Sequence, residues 1–292
     1  MGAVAVVTDS THYLPPEVIE RHGISVVSLY LRHGDPPVDQ REVEITDYAA
    51  FYDALRSAKD LPSTSQPSVG DFLAVYEPLI EQGSDIVSIH LSGGISGTVH
   101  SAEQARDQLL ERGVASERVH VVDSATTCAG LGLMAIAAAN AVSRGADLQA
   151  ATEAARALRG QMKILFAVDT LEYLRRGGRI GAAQAWLGSA LKIKPILTIE
   201  REILPIERVR TAGRAFERMV DHLSERKESG ADVFMIQHIQ AHDVAERLAE
   251  RGREIYGRDP EFVSEIGPVI GAHVGPGLVG VTGLPSSILG PM

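Results

Sequence analysis

Pro62-Ser63-Thr64-Ser65-Gln66-Pro67-Ser68 and Ser92-Gly93-Gly94-Ile95-Ser96-Gly97-Thr98 are two hydroxyl-rich turns with a predicted helix and strand between them, and the chain reads outward from this pair. The second turn follows the apolar run Ile86-Val87-Ser88-Ile89-His90-Leu91, the pattern of a buried strand, and precedes helical spacing from Val99 to Leu110. Strand, glycine-rich turn and helix in that order make an anion site. Gly93, Gly94 and Gly97 let backbone N–H groups approach a ligand, Ser96 and Thr98 add hydroxyl donors, and the helix N-terminus adds a favourable dipole. The hydroxyls of Ser92 and Ser96 equally suit plain helix capping, and the residues alone leave both readings open.

Upstream, Val4-Ala5-Val6-Val7 is β-rich and ends at Thr8-Asp9-Ser10-Thr11, and Pro15-Pro16 opens a helix to about His22 that Gly23 closes. Ile24 to Leu31 reads as a strand, the polar residues to Glu44 as an exposed loop, and Thr46 to Lys59 as a helix capped by Thr46. Asp71 to Gly83 is helical in pattern, and Val119 to Val122 is a strand ending at Asp123-Ser124. Two alanine-rich helices, Ala129 to Arg144 and Leu148 to Arg159, precede a strand over Lys163 to Val168. Then come the basic turn Arg175-Arg176-Gly177-Gly178-Arg179, a small-residue helix over Gly181 to Leu191, and the strand-like run Lys194 to Ile199. Gly213 to Gly230 reads as a helix, Val233 to His238 as a strand and Val244 to Tyr256 as a helix; the glycine- and proline-rich stretch Gly267 to Gly277 then leads into a strand from Leu278 to Val281. This alternation predicts an α/β fold of parallel βαβ units, with ligands beyond the carboxyl ends of the strands. The length of 292 residues favours two domains, and the boundary is placed near Gly160, giving α/β domains over 1–160 and 161–292.

A net charge of −10 and a pI near 5.5 oppose a general role on nucleic acid or anionic membranes, both of which need a positive surface. With one cysteine, Cys128, the chain forms no intramolecular disulfide and builds no thiolate zinc site, which fits a reducing cytoplasm. No targeting segment is expected, and Ala129 to Val142, the longest mostly apolar stretch, is too short to span a bilayer.

Acidic-hydroxyl pairs at Asp9-Ser10, Asp123-Ser124 and Asp169-Thr170 stand where helix caps are expected. Gly130-Leu131-Gly132-Leu133-Met134-Ala135 matches a dinucleotide fingerprint, but its first glycine lies well past the strand, so close helix packing is the better reading and no cofactor is expected. His238 and His242 have the spacing of two metal ligands, yet Ile239 fills the glutamate position of the zinc-protease motif and His238 belongs to a strand, so no metal is expected. Neither a nucleophile elbow nor a P-loop lysine motif is present, and no catalytic residue is assigned. Arg175, Arg176 and Arg179, with Lys192 and Lys194 nearby, form a cationic patch suited to a docking partner or a phosphate. A lone histidine is normally structural, but His273, set among Gly271, Gly275 and Gly277, equally suits contact with a carboxylate or phosphoryl group.

Taken together, Thr8-Asp9-Ser10-Thr11, Thr64-Ser65-Gln66-Pro67-Ser68, Ile95-Ser96-Gly97-Thr98, Asp123-Ser124, Leu171 to Ile180, Lys194-Pro195-Ile196-Leu197 and Gly267 to Gly277 resemble the DegV family of bacterial fatty-acid-binding proteins. The resemblance covers nearly the whole chain, with Gly93 where the family often has serine and Val99 where it often has tyrosine. It implies two α/β domains with a ligand tunnel between them, holding one long-chain fatty acid. Thr64 and Ser96 would hold the carboxylate, with Ser65 and Gly97 beside them and His273 completing the polar cluster. Ala183 to Leu191, Ile193, Ile196, Val269 and Ile270 are candidates for the apolar wall. The resemblance also implies a carrier that is not itself an enzyme and presents its lipid to a separate fatty acid kinase, with Arg175, Arg176 and Arg179 as the docking surface. The competing expectation is a phosphotransferase or hydrolase that uses Ser96 and His273 directly.

Overall fold

The computed structural model describes residues 3–34, 36–187 and 193–292. The N-terminal valines form β1 (Val4–Asp9), and α1 (Pro16–His22) starts on a proline, whose missing N–H costs nothing at a helix start, and stops at Gly23. Next come β2 (Ser25–Val27), β3 (Tyr30–His33), β4 (Val38–Arg41), α2 (Tyr48–Ser57) and β5 (Ser63–Ser65). α3 (Val69–Glu81) opens on a reciprocal cap between Ser68 and Asp71, so one hydroxyl of the first turn is spent on capping. β6 (Asp85–His90), α4 (Thr98–Glu111) and β7 (Val119–Asp123) follow, then α5 (Ala129–Ser143) and α6 (Leu148–Gln161). The remainder is β8 (Ile164–Ala167), α7 (Glu172–Arg176), β9 (Lys194–Glu200), β10 (Glu202–Val209), α8 (Ala212–Glu228), β11 (Val233–His238), α9 (His242–Tyr256), β12 (Val263–Glu265), α10 (Pro268–Val274), β13 (Val279–Leu284) and α11 (Ser286–Leu289). Among the described residues no helix is long and apolar enough to cross a membrane.

The chain divides into two units, one made of Met1–Tyr30, Ser65–Gln161 and Ser287–Met292 and the other of Leu31–Thr64 and Met162–Ser286. The first unit holds a parallel sheet in the order β2-β1-β6-β7, as the alternation predicts, and its carboxyl ends carry Asp9, the 92–98 turn and Asp123. Phe72, Tyr76, Ala102 and Leu109 of α3 and α4 pack with Val7 and Ile86 of the sheet. α5 is apolar nearly all round and buried along most of its length, and a Cβ on its Gly132 would lie 2.6 Å from Leu14, which confirms close packing as the role of that glycine. Asn140 of α5 holds the C-terminal residues by donating to the carbonyls of Leu289 and Pro291.

The second unit departs from the parallel expectation. Its six-stranded sheet runs β10-β9-β8-β13-β11-β12, and every pairing except β11–β12 is antiparallel. α8 and α9 bury Phe216, Met219, Leu223 and Leu248 against Phe234, Ile236 and Val281. β10 escapes the sequence reading because the hairpin turns through Glu200-Arg201-Glu202, with Arg201 at a φ of 68° and none of the glycine or asparagine that marks such turns.

A single cut at 160 is corrected as well, because residues 31–64 group with 162–286 and residues 287–292 with the first unit. The expected strand Ile24 to Leu31 is broken where Leu29 N–H donates to Ser10 Oγ and Ser28 Oγ donates to the Leu29 carbonyl, so it becomes two strands. The expected loop to Glu44 contains β4 and a short 3-10 turn whose Glu42, 2% exposed, accepts a hydrogen bond from Val269 N–H at 2.8 Å. Helix α2 is capped by Asp47, which accepts from Ala50 N–H, and not by Thr46. Thr64 lies in a short strand and not in a turn, within a sheet ordered β4-β3-β5. The helix expected over Gly181 to Leu191 is a 3-10 stretch from Gly181 to Trp186; residues 188–191 of that expectation, and Lys192, lie outside the described residues.

Gly132→Ala should therefore lower stability by about 1–3 kcal/mol through overpacking against Leu14. Gly213→Ala in α8, with nothing within 4 Å of its added methyl, should be neutral or raise stability by up to roughly 1 kcal/mol. Urea unfolding midpoints of the two variants check the contrast, and equal midpoints would remove the packing explanation of the glycine motif.

Candidate functional site

Of the residues expected at the site, the second unit brings together Thr64 and His273, with Thr64 Oγ1 2.8 Å from His273 Nε2. Thr64 is the middle residue of β5, and His273 lies in the last turn of α10. Three contacts fix α10. Pro268 starts it, Glu42 accepts from the Val269 N–H, and the Tyr52 hydroxyl donates to the carbonyls of Ile266 and Gly267 at 2.6 and 3.0 Å. Gly177 backs the imidazole so closely that any Cβ there would overlap His273 Nδ1.

That packing sets the charge of the ring. Burial, reinforced by the Arg179 guanidinium and only partly offset by the Gly177 backbone, pulls the His273 pKa down to about 4. The imidazole is neutral at neutral pH and carries one proton. If that proton is on Nε2, the ring donates to Thr64 Oγ1 and leaves the Thr64 hydroxyl proton free for an anion. The opposite tautomer uses the hydroxyl proton in the bond to Nε2.

In the first unit, Ser96 Oγ lies 2.9 Å from Thr98 Oγ1 and accepts from Thr98 N–H at 3.3 Å. Ser92 Oγ accepts from Gly94 N–H, while Gly93 N–H donates to Asp123 Oδ1 at 3.1 Å. α4 begins after Gly97 without a side-chain cap, and Ser65 is exposed. The Gln66 amide covers Gly97, where a Cβ would come within 2.7 Å of Gln66 Nε2, so the Ser65-Gln66 segment and the 92–98 turn meet through a residue that the sequence reading did not single out. Under this turn runs a buried chain from Tyr76 through Ser88 and His90 to Asp9, with successive contacts of 2.7, 2.6 and 3.1 Å. The order imitates a hydrolytic triad, but Ser88 is fully buried, and Asp9 also accepts from Leu91 N–H and from Thr11. Its role is to tie β1 and β6 together at their carboxyl ends.

The arginine stretch starts in the last turn of α7, which holds Arg175 and Arg176, and then turns through Gly177-Gly178 to Arg179. Arg175 pairs with Glu172, Arg176 donates to the Lys59 carbonyl at 2.6 Å, and Arg179 donates to the Gly177 carbonyl at 2.8 Å. Lys194 pairs with Asp169. The three guanidinium groups stay exposed, with part of their charge answered locally. Ala183, Ile196, Val269 and Ile270, expected in an apolar wall, are all buried, and Ile196 belongs to the core under α8.

The DegV family, described as uncharacterised, matches residues 3–286 of this chain. A DegV domain-containing protein of Streptomyces coelicolor is 42% identical over 282 residues, which cover 95% of this chain and 97% of that protein. The solved structure described as fatty acid binding of a DegV family protein from Thermus thermophilus is similar with a TM-score of 0.86 and 34% identity, over 98% of this chain and 100% of that one. DegV of Bacillus subtilis, described as a fatty acid binding protein, gives a TM-score of 0.87 at 33% identity over 97% and 99% of the two chains.

A histidine held neutral by burial makes stability depend on pH. His273 and His12 both fall from an ordinary 6.5 to about 4, so between these values the unfolded chain binds protons that the folded chain refuses. Stability should be full above pH ~6.5 and fall as the pH drops toward 4, by on the order of 3 kcal/mol for each group. His273→Gln should narrow the gap between unfolding free energies from urea titration at pH 7 and pH 4.5 by about 2–3 kcal/mol. An unchanged gap would mean that the ring is not held neutral by its surroundings.

Proposed function

This chain belongs to the DegV family, and we propose that it binds one long-chain fatty acid and presents the carboxylate to a separate ATP-dependent kinase, which makes an acyl phosphate for phospholipid synthesis. The observation that carries this reading is the Thr64–His273 pair, a neutral hydrogen-bonded couple of a hydroxyl and an imidazole suited to meeting a carboxylate oxygen. Ser65, Ser96 and Gly97 of the first unit are also proposed as lipid-binding residues, Ser96 through its hydroxyl and Gly97 through its backbone. The fatty acid described for the relatives of Thermus thermophilus and Bacillus subtilis supports the choice of ligand.

Physical magnitudes divide the work between tail and head. Burying a methylene contributes about 0.8 kcal/mol, so a chain of about fourteen supplies on the order of 11 kcal/mol before binding costs. A hydrogen bond to a charged group nets only about 1.5–3 kcal/mol. The tail holds the lipid, and the hydroxyls fix where its carboxylate stands. A direct enzyme built on Ser96 and His273 gains less support, because the hydroxyl on His273 is that of Thr64 while Ser96 bonds to Thr98. A kinase is needed because the sequence has no P-loop motif to hold nucleotide phosphates. Arg175, Arg176 and Arg179 are its proposed docking surface, exposed cations on an acidic protein where charge steers encounter.

The purified protein should release a long-chain fatty acid on organic extraction, seen as a mass difference that disappears on delipidation. Thr64→Ala should weaken lipid affinity by roughly 1.5–3 kcal/mol yet leave the protein loaded, while acyl phosphate formation by the partner kinase falls at least tenfold. Release of no acyl species, together with no uptake of added fatty acid, would overturn the proposal. Acyl phosphate made by the chain alone with ATP and magnesium would overturn the carrier role, and unchanged turnover after Arg175→Ala with Arg176→Ala would remove these arginines from the docking surface.

A further inference from the structure

At the carboxyl ends of β11 and β12 in the second unit, His238 and Glu265 are register partners on adjacent parallel strands. The chain leaving β11 turns through Gln240 at a φ of 49°, a left-handed conformation that an ordinary side chain adopts only at a cost. The turn brings His242, the first residue of α9, back over His238, and the two imidazole rings lie 4.4 Å apart at 65°. The residue that bears the strain also orients the third group, since Gln240 donates to Glu265 Oε1 through its backbone N–H at 3.1 Å and its side-chain amide at 2.6 Å. One donor atom from each of His238, His242 and Glu265 lies within 4.8 Å of the other two.

We propose that His238, His242 and Glu265 form a binding site for a divalent transition-metal ion, with zinc as its best-suited occupant. Two imidazoles and one carboxylate are the donor set of three-ligand zinc sites, which leave a coordination position open to water or substrate. Zinc bonds to nitrogen and oxygen are about 2.0–2.2 Å, so the donors must close by roughly an ångström. His242 is exposed, while His238, 3% exposed, and Glu265, held by Gln240, form the more buried side. The Glu265 charge argues for a cation over an anion and offsets the positive end of the α9 dipole. Gln240 supplies the outer hydrogen bonds that position a metal-binding carboxylate. The sequence motif search misses the set because the carboxylate comes from the neighbouring strand and not from the helix.

The test is calorimetric titration of zinc chloride into the full chain after chelator treatment and dialysis. One equivalent should bind saturably. His242→Ala and Glu265→Gln, at positions that spare the core, should each weaken binding at least tenfold, while His100→Ala, an exposed histidine elsewhere, should leave it unchanged. Cobalt should give visible d–d absorption in the parent protein that both site variants lose. Absence of saturable zinc binding by the parent protein, or parent-like affinity in either site variant, would overturn the proposal. Zinc binding is read directly and does not depend on the lipid, so this site stands or falls apart from the fatty acid reading.

Discussion

A histidine held neutral at neutral pH is the constraint on which the second unit's polar centre depends. Burial and Arg179 keep His273 neutral, so the imidazole meets the Thr64 hydroxyl through one hydrogen bond between uncharged groups. A charged imidazolium would grip a carboxylate strongly, and its partner would have to leave a deep electrostatic well. A neutral pair instead orients the anion with one charge-assisted hydrogen bond and leaves its other oxygen available for chemistry. This suits a protein whose proposed task is to offer a carboxylate to another active site.

The supports of α10 explain why the segment 31–64 travels with the C-terminal residues. Glu42, buried, answers the Val269 N–H at the start of α10, and Tyr52 answers two carbonyls just before it. An unpaired buried carboxylate or hydroxyl costs several times what a made hydrogen bond contributes, so these pairings are strongly specified. The excursion that carries Thr64 thus also supplies the props for His273.

Much of the fold was legible because local signals were strong. The strand Val233–His238 falls where its apolar run predicts, and α1 ends at its glycine. What stayed hidden was non-local. β10 follows a turn without turn residues, β12 is only three residues long, and no local pattern reveals that residues 31–64 pack with 162–286. Residue type and family resemblance singled out Thr64, Ser96 and His273 as candidates. The hydrogen bond between Thr64 and His273, 209 residues apart, was not legible, and neither was the coverage of Gly97 by Gln66. Those depend on packing, which periodicity does not encode.

The central claim is that a fatty acid carboxylate meets the Thr64 hydroxyl while His273 is neutral. Carbon-13 NMR of the protein loaded with carboxyl-labelled fatty acid observes that atom directly. The account predicts one bound carboxyl resonance, distinct from free lipid, that moves in Thr64→Val and does not titrate with a histidine between pH 6 and 8. A resonance indifferent to Thr64→Val, or one that follows a histidine titration in that range, would contradict it.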